Sequence, residues 1–66
     1  MIQAVLFDKT KYTEEEAMQF LRQHKLRPIK PVHITEHKLR YRLALPHFQH
    51  YITKRAQEGV EYVIGF

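Results

Sequence analysis

The sequence predicts an α+β domain: one main helix packed on a largely antiparallel sheet of four or five strands, in the order β-α-β-β-(turn)-β-β. Two observations carry that expectation. A capping-box motif, Thr13-Glu14-Glu15-Glu16, opens the one segment with helical apolar spacing. Period-two alternation appears at Leu39, Tyr41, Leu43 and Leu45, and again at Val60, Tyr62, Ile64 and Phe66, as in strands that bury one face. With 66 residues there is room for one small domain with one core.

The elements follow in chain order. Ile2 to Phe7 is short, apolar and bounded by Asp8, the pattern of a strand. The Thr13 hydroxyl is expected to accept from the Glu16 N–H while the Glu16 carboxylate reaches back. Glu14, Glu15 and Glu16 also suit the positive end of the helix dipole. The helix is predicted over Glu14 to Lys25. Ala17, Phe20, Leu21 and His24 form its buried stripe, with His24 partly buried. Pro28 and Pro31 stop it. Val32 and Ile34 alternate with His33 and Thr35, and a tight turn at Glu36-His37 leads into the longer alternating run from Lys38 to Leu45. Pro46 breaks that run, and Pro46 to His50 reads as a turn or a single helical turn. Tyr51 to Ala56 is rich enough in aromatic and β-branched residues for another strand. Glu58-Gly59 is a hairpin turn before the last strand. The expected core is Val5, Phe7, Ala17, Phe20, Leu21, Val32, Ile34, Leu39, Tyr41, Leu43, Tyr62 and Ile64. The C-terminal strand is expected at a sheet edge, a route to homo-oligomers.

Composition removes several chemistries. There is no cysteine, so disulfides, thiolate nucleophiles and Cys-zinc sites are excluded, and the chain suits a reducing, intracellular compartment. There is no serine, and neither GxGxxG nor a P-loop. No apolar run is long enough to span a membrane. The six-residue apolar stretch after Met1 lacks the features of a signal peptide, so the chain reads as mature and soluble. Asp8 and Glu36, the only carboxylates outside the helix start and the last hairpin, are tied to no histidine, so no catalytic pair is expected. His33-x3-His37 and His47-x2-His50 do not complete a metal site: four residues along a strand span about 13 Å, and two ligands are too few. No cofactor is expected.

Charge is the strongest functional clue. The net charge is +4, but residues 1–16 carry −2 (two Lys against Asp8 and three Glu), and residues 17–66 carry +6 (nine Lys/Arg against three Glu). Seven cations from Arg22 to Arg42 face only Glu36. Such a block attracts phosphate, anionic lipid or an acidic protein surface. Along a strand, Lys38, Arg40 and Arg42 project from one face at intervals of about 6.5–7 Å, near the phosphate spacing of a nucleic-acid strand. Leu39, Tyr41, Leu43 and Leu45 must then face the core, and a helix covering that side leaves the basic face open. Tyr51, Thr53 and Arg55 share a parity that extends it. The candidate nucleic-acid-binding residues are therefore Arg22, Lys38, Arg40, Arg42 and Arg55. Stacking on single strands requires exposed aromatics beside the cations. Tyr12, Phe48 and Tyr51 are the candidates, whereas Tyr41, Tyr62 and Phe66 fall on core parity. The bland counterpart is a solvated outer face that serves solubility.

One further pattern bears on context. An apolar strand is followed by Tyr12-Thr13 opening a helix with Ala17 and Phe20-Leu21, then His24-Lys25. Glu36-His37-Lys38-Leu39-Arg40-Tyr41-Arg42, Pro46-His47-Phe48 and Gly59-Val60-Glu61-Tyr62-Val63-Ile64-Gly65 complete the order. Over nearly the whole chain this resembles a small domain encoded by tailed phages and large DNA viruses. There the helix ends in a Trp-Leu-Lys-Lys-His-Gly-like stretch and the central strand reads Tyr-Arg-Phe-Arg. This chain has Phe20 for the Trp, Leu26 for the Gly and Leu39-Arg40-Tyr41-Arg42 at the strand. The resemblance implies a viral, non-enzymatic accessory or structural role, in the virion or the infected-cell cytoplasm. Two expectations of different class result: a basic domain on nucleic-acid backbone, or a protein–protein or assembly module that meets an acidic protein surface.

Overall fold

A computed structural model describes residues 1–66. Strands β1 (Ile2–Asp8), β2 (His33–Ile34), β3 (Lys38–Arg42), β4 (Tyr51–Gln57) and β5 (Val60–Gly65) form one sheet, and helix α1 (Glu14–Gln23) packs on one side of it. The sheet order is β2-β3-β1-β5-β4 and every neighbouring pair is antiparallel. This is the α+β architecture expected from the sequence.

The capping box forms as predicted. Glu16 N donates to Thr13 Oγ1 at 3.1 Å and Thr13 N donates to Glu16 Oε1 at 3.0 Å. The helix ends two residues earlier than predicted. Leu26 N donates to Leu21 O and Lys25 N to Arg22 O, a Schellman closure that places Lys25 in the left-handed region at φ 56. His24 is therefore an exposed cap and not part of the buried stripe, although its ring stacks on Phe20 at 4.0 Å.

Ala17, Phe20 and Leu21 meet Val5 and Phe7 of β1, Leu39 and Tyr41 of β3, and Val60 of β5. Phe7 sits at the centre, with Phe20 and Tyr41 edge-on to it at 5.5 Å each and Tyr12 tilted at 5.2 Å. A helix of ten residues covers only part of the sheet. Val32, Leu43, Tyr62 and Ile64 are consequently half-buried, and Ile34 is 48% exposed, where a uniform core was expected. Ala4, Ala44, Val63 and Gln3 are buried instead. Ala4 and Val63 pair across strands on the face away from the helix.

Three other expectations are corrected. The long alternating run stops at Arg42 because Leu43 N and Ala44 N both turn to Gln3 O, at 2.8 and 3.3 Å, beside a bulge in β1. Pro46 to His50 holds no helical turn. The C-terminal strand β5 is interior, with β1 on one side and β4 on the other, so the edges are β2 and β4. The hairpin at Glu58-Gly59 forms, with Gly59 at φ 80.

Candidate nucleic-acid interface

Strand parity and register decide which side chains share the helix-free face. Side-chain rows cross it. One row is Arg42–Ala4–Val63–Thr53, the next is Arg40–Leu6–Glu61–Arg55, and a third begins Lys38–Asp8. His33 lies opposite Arg40 on β2, and Tyr51 lies opposite Gly65. Lys38, Arg40, Arg42 and Arg55 are thus brought to one face. Arg22 is not. It stands on the exposed side of α1, in the other layer, and lines a groove with Arg27, Lys30 and Met18.

The open face has two electrostatically different ends. At the hairpin end the charges cancel. Lys38 Nζ donates to Glu61 Oε1 at 3.1 Å, and Lys11 pairs with Glu58. Asp8 accepts from Thr10 Oγ1 at 2.7 Å and Thr10 N at 2.9 Å. Those two hydrogen bonds, helped by the charges of Lys38 and Lys11, hold its carboxyl below the ordinary 3.8. The hydrogen bond from Lys11 likewise lowers Glu58. Arg55 shares this end with Glu58 and Glu61 but forms no ion pair with either.

The other end is different. Arg40 and Arg42 form one wall of a cleft of about 500 Å³, and no carboxylate lines it. Neither arginine forms an ion pair, and Arg40 Nε is shielded with no hydrogen-bond partner. Leu6 and Val63 also line the cleft, and the segment from Pro46 to Thr53 forms the facing wall. That wall is fastened at several points. Gln3, 1% exposed, donates from Nε2 to Ala44 O at 2.9 Å. Phe66 N donates to His50 O, and Gln49 N to Phe66 O, both at 2.9 Å. The Phe48 ring lies against Gly65, where a Cβ would overlap it. His47 stacks on Phe48 at 4.4 Å, Tyr51 meets Phe48 edge-on at 5.9 Å, and Phe48 N donates to the Tyr51 hydroxyl at 3.3 Å.

Of the three aromatics expected near the cations, Tyr12 packs on Phe7 and Phe48 is half-buried, while Tyr51 keeps 42% of its surface exposed. Sequence reasoning did not assign Gln3, Gly65 or the supporting role of Phe48. A lone glycine inside an alternating strand is the signal that marks a close approach at Gly65. The histidines are dispersed, and no three His, Asp or Glu side chains come together as metal ligands. No helix is long and apolar enough to cross a membrane.

No family model, curated protein or solved structure matches the chain.

Proposed function

We propose that this chain is a non-enzymatic nucleic-acid-binding domain that holds a phosphodiester backbone with Arg40 and Arg42, and with Arg55 farther along the same face. The observation that supports this reading is the contrast between the two ends of the open face. Lys38 and Lys11 are neutralised by neighbouring carboxylates, whereas the Arg40–Arg42 cleft contains none. Guanidinium groups suit phosphate because they donate in a fixed fork. No base-reading constellation accompanies the arginines, so binding is of low sequence specificity. In the viral setting that the sequence resembles, such a domain is an accessory to packaged or replicating nucleic acid.

The test is a salt series of anisotropy titrations with labelled oligonucleotides. Three arginines on three phosphates give a log–log slope of about −2 on single strands. The double change Arg40→Gln and Arg42→Gln abolishes binding and leaves the circular dichroism spectrum intact, while Arg22→Gln leaves affinity unchanged. Binding that survives the double change rules out the strand face.

A second reading, a protein–protein module, is favoured by β4. All seven of its residues are exposed, and Ile52 keeps 50% of its surface. An open edge of this kind accepts an added strand from an acidic partner or a second copy. A mass that rises with concentration in sedimentation, and is lost on Ile52→Lys, supports that use.

A further inference from the structure

We propose that the Arg40–Arg42 cleft is built for an unpaired nucleotide, whose base stacks on Tyr51 while its phosphate lies on the arginines. This rests on the backbone-binding reading and names the kind of strand it takes. The cleft is single-nucleotide in scale, within the ordinary size range of small-ligand sites. Its two walls are chemically distinct. Cations stand on β3, and an exposed aromatic ring stands on β4, three ladder steps or about 14 Å away. The floor between them is apolar, formed by Leu6 and Val63, and the Phe48 ring fills the space over Gly65.

Tyr51 is also held in place. Its hydroxyl accepts from Phe48 N and its ring meets the Phe48 ring, which is itself packed against Gly65 and His47. A fixed aromatic platform lowers the entropy lost on stacking. A base pair inside a duplex offers no free face to such a ring, whereas every unpaired base does. Thr53 lies in the same cleft and presents a hydroxyl beside the platform without selecting one base. A helix-free sheet face that needed only solubility would require neither the anchored loop nor the exclusion of carboxylates from one end.

The experiment compares three labelled probes by anisotropy at low salt: an oligothymidylate of ~12 nucleotides, a duplex of the same length, and a strand with abasic sites in place of the bases. The native chain is expected to bind the oligothymidylate about 5- to 150-fold more tightly than the abasic strand, the range for stacking one base. Tyr51→Ser is expected to lose that factor on oligothymidylate and keep its affinity for the duplex. Tyr51→Phe, which retains the ring, keeps both. The abasic comparison requires no substitution, so it is independent of any effect on folding. Equal affinity for the oligothymidylate and the abasic strand overturns the inference, as does an unchanged Tyr51→Ser. If either occurs while Arg40→Gln with Arg42→Gln still abolishes binding, the backbone reading stands and only stacking falls. If the native chain binds none of the probes, both fall.

Discussion

Gln3→Met tests the fold and the site together. Gln3 lies at the bulge in β1, where its backbone carbonyl accepts from Leu43 N and Ala44 N and its side-chain amide donates to Ala44 O. Methionine has nearly the same length and volume and keeps the two backbone bonds. It removes one thing, the donor to Ala44 O. Ala44 is itself buried, so the carbonyl is left unpaired out of water, at a cost of about 1–3 kcal/mol. Relief of the desolvated amide offsets part of this, leaving about 1–2 kcal/mol of destabilisation. A domain of this size holds only ~3–5 kcal/mol in total. The melting temperature should therefore fall by about 5–15 °C, read by circular dichroism and by the urea midpoint. Because Ala44 begins the loop that carries Phe48, oligonucleotide affinity should fall as well. A Gln3→Met chain within about 0.5 kcal/mol of the native one would refute the assignment of this hydrogen bond as the fastening of the loop.

Other substitutions follow from particular contacts. Thr13→Ala removes half of the capping box and should cost about 1 kcal/mol in urea unfolding. Lys25→Gly places the residue suited to φ 56 at the helix exit and should stabilise by about 0.5–1 kcal/mol in the same assay. Gly65→Ala drives the half-buried Phe48 ring off the sheet. About half of a ring's ~200 Å², at ~25 cal/mol per Å², sets a loss of up to about 2.5 kcal/mol, accompanied by weaker oligonucleotide binding. Asp8 supplies a pH dependence. Its native carboxyl lies below 3.8, so its stabilisation is present above that pH and is lost as pH falls through the native value. Asp8→Asn should therefore lower the urea midpoint at neutral pH, and the gap from the native chain should narrow as pH falls below 3.8.

Much of the fold was legible because its determinants are local. The capping box needs only four consecutive residues. Alternation at Lys38–Arg42 assigns Leu39 and Tyr41 inward and the three cations outward whatever their neighbours. The same parity put Tyr51, Thr53 and Arg55 on the same face, farther across the sheet with β1 and β5 between. The sequence misled where coverage, not parity, decides burial. Val32, Ile34 and Tyr62 have the right pattern, but a ten-residue helix does not extend over all of them. Nor could parity order the strands. β5 pairs with β1, the farthest strand in the chain, and so the last strand lies inside the sheet and β4 at its edge.

By itself, then, the sequence determined the class of fold, the cap, the hairpin turn and a basic strand face, all set by spacing within a single segment. Tertiary structure alone decided which of those cations are available. Lys38 is neutralised by Glu61, 23 residues away, Arg22 is carried to the opposite layer, and Arg40 and Arg42 are left facing a loop anchored by Gln3 and Gly65. Charge acts through distance in space, and only the folded chain sets those distances.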